Sequence, residues 1–164
     1  MAYTYSTLTQ ALAGAGIDEP AYEASLLLER FAGVSYATLM TDRHRAFDLP
    51  MLESAVARRL SREPLQYILG EWEFCGCRFK VTPDCLIPRP DTEILVEAAI
   101  RTLPKGARIA DLCTGSGCIA LTALAETKHT TAVGYDISEG ALAIAKKNAD
   151  ALGLSERFAA KKRD

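Results

Sequence analysis

The sequence predicts an α/β chain: a small N-terminal helical bundle, a β-hairpin linker, and then the first strands and helices of a parallel sheet. Three observations carry that prediction. Apolar residues recur at helical spacing through the first seventy positions, polar and apolar residues alternate about Gly76, and a strand, a glycine turn, a helix and a second strand follow one another between residues 107 and 136. The expected domains are residues 1–71, a linker over 72–84 and a second domain over 85–164.

Four helices are expected first, over Thr7–Ala13, Pro20–Ala32, Tyr36–Thr41 and Pro50–Arg62, each opened by a capping or proline signal. Thr7 with Gln10 resembles a capping box, Asp18 and Asp48 precede Pro20 and Pro50, and Gly33 is a helix stop. Leu52, Val56 and Leu60 repeat every four residues, and Leu26, Leu27, Leu28 and Phe31 give the second helix a broad buried side. Core packing explains these positions without a ligand. Arg58, Arg59 and Arg62 lie on the other side of the fourth helix, as a solvated face or as a docking patch for an acidic partner.

Residues 73–81 then alternate about Gly76, as the two strands of a hairpin do. Pro88 and Pro90 flank Arg89 and stiffen the approach to a helix over Thr92–Thr102, with Ile94, Leu95, Ala98 and Ala99 expected to face a core. The prolines fix where Arg89 and Glu93 point.

Residues 107–112 read as a buried parallel strand, Gly115 and Gly117 as the turn, Cys118–Glu126 as the next helix and Thr131–Tyr135 as the second strand, ending at Asp136. The helix start offers unpaired amide donors. A carboxylate about 20 residues beyond such a turn is placed to accept hydrogen bonds from both hydroxyls of a ribose. Two cofactor classes fit. Gly115-x-Gly117-x-x-Ala120 matches the dinucleotide fingerprint, so a nicotinamide or flavin enzyme is one reading. The other is S-adenosylmethionine, favoured by Asp111: an acid at the strand end repels a pyrophosphate and welcomes a cationic sulfonium amino acid.

Composition excludes other classes. The chain has 164 residues, 49% hydrophobic and 24% charged, which is globular rather than disordered. A net charge of −2 and a pI near 5.8 argue against binding along a phosphate backbone, and Lys161-Lys162-Arg163 reads as a solvated terminus. No apolar run is long enough to span a membrane and no signal-peptide pattern opens the chain, so a cytoplasmic setting with reduced cysteines is expected. Cys75, Cys77, Cys85, Cys113 and Cys118 form no Cys-x-x-Cys pair and have no nearby His44 or His129, so no metal site and no catalytic thiol are expected. Cys113 and Cys118 read as small buried residues beside the turn, and Cys75 and Cys77 as members of the hairpin.

The segments Arg62-Glu63-Pro64-Leu65-Gln66-Tyr67-Ile68-Leu69-Gly70, Glu73-Phe74, Leu86-Ile87-Pro88-Arg89-Pro90-Asp91-Thr92-Glu93 and 111–120, in that order, resemble the HemK-type (PrmC-like) protein-(glutamine-N5) methyltransferases of peptide chain release factors. The resemblance implies a class I, Rossmann-like methyltransferase domain. It implies methyl transfer from S-adenosyl-L-methionine to the glutamine side-chain amide of the release factor Gly-Gly-Gln loop, with the helical domain helping to recognise that protein. It also implies that Cys113, Thr114, Gly115, Ser116 and Gly117 line the cofactor, that Asp136 holds the ribose, and that Asp164 borders the adenine, beside the Asp111 already assigned to the cofactor by its charge. Cys113 stands where many methyltransferases carry glycine. Family members continue to an Asn-Pro-Pro-Tyr segment that holds the reacting amide, and no catalytic residue is assigned within these 164 positions. The expectation is therefore a fragment of a longer enzyme, inactive alone, with a bare strand edge. Methylation of another amide or of an adenine amine, and a non-catalytic partner-binding module, are the alternatives. The charge balance speaks against a nucleic-acid substrate.

Overall fold

The computed structural model describes residues 2–163, so Asp164, an expected adenine neighbour, lies outside the described residues. The chain divides into two compact units, 1–69 and 70–164.

The first unit is helical: α1 (Tyr5–Gly14), α2 (Pro20–Ala32), α3 (Tyr36–Thr41), α4 (Pro50–Leu60) and α5 (Leu65–Leu69). Leu8, Leu12, Leu27, Leu28, Leu52 and Val56 are fully buried, as their spacing requires. The capping box is formed one turn earlier than expected, by Thr4 and Thr7, each side chain taking the other's backbone N–H. Proline begins α2 and α4, and the N-cap residues before it, Glu19 and Leu49, make no side-chain cap bond. Gly33 ends α2 with φ 66°, the left-handed conformation that glycine adopts without strain. Leu60 is partly exposed because α4 has turned away from the core by its last residue.

Arg58 and Arg59 of α4, and Arg62 just beyond its end, are engaged within this unit. Arg59 pairs with Glu23 of α2 in a largely buried ion pair and donates to the Glu63 carbonyl. Arg58 pairs with Glu63, and Arg62 donates to the Gly16 carbonyl at 3.1 Å. Long side chains reached back to groups elsewhere in the fold, so neither the solvated face nor the docking patch describes them fully.

The second unit opens with a hairpin, β1 (Glu71–Phe74) and β2 (Cys77–Lys80), whose two turn residues Cys75 and Gly76 have φ 48° and 72°. Two positive φ values in a two-residue loop match the twist of the paired strands. The hairpin is part of the second unit rather than a linker. Phe74 and Phe79 meet edge to face at 6.1 Å and are buried with Val96, Leu121, Leu124, Ala132, Ala145 and Phe158.

Helix α6 runs Pro90–Thr102 and buries Val96, with Ala99 and Ile100 half-buried, while Ile94, Leu95 and Ala98 are exposed. The expected core face is thus wrong by about one residue's rotation, because two apolar stripes lie on this helix and periodicity does not choose between them. Glu93 points back to the hairpin turn, where its Oε1 accepts the Cys75 N–H at 2.8 Å.

The remaining elements are β3 (Arg108–Leu112), α7 (Cys118–Glu126), β4 (Thr131–Asp136), α8 (Glu139–Ala151) and β5 (Phe158–Lys162), with a parallel sheet ordered β3-β4-β5. Lys161 and Lys162 belong to β5, and Lys162 pairs with Glu139. They are exposed strand residues, solvated as expected. Ile109, Asp111, Ala132, Gly134 and Phe158 share the inner face, packed under α7 and α8. On the other face Ala110, Leu112, Thr131, Ala159 and Lys161 are exposed, Leu112 at 73%. Parallel sheets are ordinarily covered on both faces, so this face and the free side of β3 are open surface.

Candidate functional site

The site forms where β3 and β4 end. After Leu112 the chain turns through Cys113 (φ 59°), Thr114, Gly115 (φ 55°), Ser116 and Gly117 (φ 81°) into α7. Positive φ at Gly117 is combined with crowding: a Cβ there would lie 3.0 Å from Leu121 Cδ1 and 3.2 Å from the Ala145 Cβ. A missing side chain therefore lets α7 and α8 close beneath the turn.

The turn is tied at several points. The Thr114 N–H donates to the Tyr135 carbonyl at 2.9 Å, and the Gly117 N–H to the Thr114 carbonyl at 2.8 Å. Asp136, at the end of β4, accepts the Gly115 N–H on Oδ2 and the Ser138 N–H on Oδ1, both at 2.9 Å. A carboxylate has about four acceptor positions. Two remain for the hydroxyls of a vicinal diol, so the residue that fixes the turn is also able to hold a ribose.

Asp111 is buried and does not lie on the ligand side as a free charge. Its Oδ2 accepts the Thr114 hydroxyl at 2.7 Å. Burial pushes its carboxyl above the usual range, against the lowering effect of the Thr114 hydroxyl and the nearby Ala120 backbone, and the nearby Asp136 adds to the rise.

The structure brings Asp111, Cys113, Thr114, Gly115, Ser116, Gly117 and Asp136 together within one turn and two strand ends. Cys113 is exposed rather than buried, because the left-handed backbone at this position turns its side chain out. Cys118 is buried, and burial pushes its thiol up to about 11. Cys85 is buried beside the turn, its Cβ 3.9 Å from where a Gly115 Cβ would stand, and burial raises its thiol as well. Neither thiol is poised as a nucleophile. Among the described residues no group of three or more His, Cys, Asp or Glu side chains is arranged to hold a metal.

Two supporting residues were not found from sequence. Gly134 lies under Thr114, where a Cβ would come within 2.7 Å of Oγ1; an isolated glycine inside an apolar strand is the one signal that marks such a close approach. Asn148 of α8, fully buried, bonds to Ser116 and Lys80, and nothing in its helical surroundings distinguishes it.

Comparison with known proteins places this geometry. Residues 5–70 match the model of the PrmC N-terminal domain and residues 90–163 that of the Methyltransferase small domain. The release factor glutamine methyltransferase of Geobacter sulfurreducens is 42% identical over 87% of this chain and 51% of its own length. The protein of that name from Cereibacter sphaeroides is 44% identical over 90% of this chain and 53% of its own, and that from Coxiella burnetii 46% identical over 79% and 49%. Over most of its length the chain is similar to these release factor glutamine methyltransferases. It spans about half the length of the curated relatives it matches. The PrmC N-terminal match coincides with the helical unit, and the methyltransferase match takes in α6 through β5 and hence the whole turn.

Proposed function

We propose that this chain binds S-adenosyl-L-methionine at the 113–117 turn and serves methylation of a release factor glutamine, the reaction named for its relatives. The observation that carries the cofactor assignment is the pair of carboxylates at the strand ends. Asp136 keeps acceptor positions for a ribose diol, and Asp111, an acid at the end of β3 tied to Thr114, makes the site favourable to a cation and unfavourable to a pyrophosphate. The absent side chain at Gly115, together with its tethered N–H, leaves backbone open to close approach.

The cofactor, when bound, supplies an electrophilic methyl group on a sulfonium centre. The chain's own residues hold and orient: Asp136 would take the ribose hydroxyls, Gly115 would let the cofactor lie against the main chain, and Asp111 with Thr114 would keep the turn rigid. An amide nitrogen is a poor nucleophile, so positioning of this kind is where rate is gained. The helical unit is the part proposed to recognise the release factor. A protein substrate rather than nucleic acid is favoured by the net charge of −2, and a cytoplasmic setting by that substrate. Among the described residues no helix is long and apolar enough to cross a membrane.

Calorimetric titration with S-adenosyl-L-methionine and, separately, with a nicotinamide dinucleotide tests this reading. Binding of the first alone is expected. Asp136→Ala should weaken it by about 10-fold or more, the loss of two charge-assisted hydrogen bonds, and Gly115→Val should abolish it. Equal affinity in wild type and both variants, or binding of the dinucleotide instead, refutes it.

A further inference from the structure

The turn is held from two sides, and only one latch is the carboxylate at the end of β4. The other is Asn148. Its side chain is fully buried on α8, and its amide makes three hydrogen bonds to segments far away in sequence. Oδ1 accepts the Lys80 N–H at 2.7 Å, and Nδ2 donates to the Lys80 carbonyl at 3.1 Å and to the Ser116 carbonyl at 2.8 Å. Toward Lys80 it behaves as the peptide group of a neighbouring strand would, giving and receiving one bond. Its remaining hydrogen goes to the turn.

Nothing else in the Ser116 residue takes over that role, since its own hydroxyl is buried without a hydrogen-bond partner among the described residues. Gly115 is thus anchored through its N–H to Asp136, and the next residue through its C=O to Asn148. Two successive residues, one held by its N–H and the next by its C=O, leave the turn little freedom. Lys80 ends β2 and leads into the segment that places Cys85 beside Gly115, so one amide also fixes where that wall of the site begins.

We propose that Asn148 is a positioning residue for the cofactor turn, clamping the Ser116 carbonyl and the end of β2 together so that the Gly115 N–H stays in register with Asp136. The proposal rests on the reading of this turn as the S-adenosyl-L-methionine site. Removing the side chain leaves three backbone groups unpaired in the interior, which costs stability in any case. A purely structural residue would stop there. A positioning residue also changes ligand affinity at a temperature where the protein is fully folded.

The experiment compares Asn148→Asp with Leu154→Ala, a core substitution away from the turn, in the 164-residue chain. The aspartate keeps the acceptor for the Lys80 N–H but loses both donated bonds, and Asn148→Ser is read the same way if the first variant does not fold. Affinity for S-adenosyl-L-methionine is measured by calorimetry, and amide hydrogen exchange of residues 115–117 is measured without ligand. Asn148→Asp is expected to weaken binding about 10-fold or more and to speed exchange of the Gly115 amide by a similar factor, with Leu154→Ala close to wild type in both. Equal effects of the two substitutions, or unchanged exchange at Gly115 in the Asn148 variants, would overturn the clamp. Wild type that binds no cofactor would refute the site reading instead, and the exchange comparison would still decide whether Asn148 holds the turn.

Discussion

Gly134→Ala probes how tightly the turn is packed on the sheet. Gly134 pairs with Asp111 on one side and Ala160 on the other, and a methyl group there would lie 2.7 Å from Thr114 Oγ1, 2.9 Å from Thr114 Cγ2 and 2.9 Å from Phe158 Cζ. Both neighbours are buried, and neither is free to move: Thr114 is bonded to Asp111 and to the Tyr135 carbonyl, and Phe158 is part of the core. Overpacking of this kind costs about 1–3 kcal/mol. If Thr114 swings aside instead, its hydrogen bond to the Asp111 carboxylate is lost, at about 1.5–3 kcal/mol. The lower entropy of the unfolded alanine chain offsets about 0.4–1 kcal/mol. The net expectation is a loss of about 0.5–2.5 kcal/mol, or a fall in Tm of about 1–10 °C. The single tryptophan, Trp72 in β1, lies in the same unit, so its fluorescence during urea unfolding reads the change directly. In a Thr114→Ala background two of the three close contacts are gone, and Gly134→Ala should cost at least about 1 kcal/mol less. An unshifted midpoint for Gly134→Ala, or a full and additive cost in that background, would refute the packing argument.

Asp111→Asn should change the pH dependence of stability. Burial raises the Asp111 carboxyl above its unfolded value, so its contribution to stability is complete below the unfolded pKa of about 3.9 and is lost as pH rises through the folded value. An asparagine carries no such loss. The Tm difference, variant minus wild type, should therefore grow from pH 4 toward pH 7, while affinity for the cationic cofactor falls; parallel Tm profiles would show that the buried charge is not penalised. Leu112→Lys addresses the open sheet face. Leu112 is 73% exposed on the edge strand β3, near a face that also shows Ala110 and Ala159. Such surfaces self-associate, so sedimentation velocity should find less association in the variant with an unchanged circular dichroism spectrum, and a wild-type chain that stays monomeric at high concentration contradicts it.

Local chemistry was legible in the sequence. The bounds of α7, the hairpin turn at Gly76, the stop at Gly33 and the placing of Asp136 at the end of β4 each depend on residues within a few positions of one another, where period and turn preference act directly. The choice of α6 face, the partners of Arg58, Arg59 and Arg62, and the hairpin's place in the second unit did not follow from such signals. Each depends on what another element presents. Asp111 shows the division within one residue: its position marked a site with an acid at the strand end, but burial and its bond to Thr114 made it a brace for the turn rather than an exposed charge. Asn148 shows it at longer range. An asparagine in a helix has no sequence signature for a partner 68 residues away, because hydrogen bonds to Lys80 and Ser116 exist only once α8, the hairpin and the turn have packed into one interior and left those groups no water to bond.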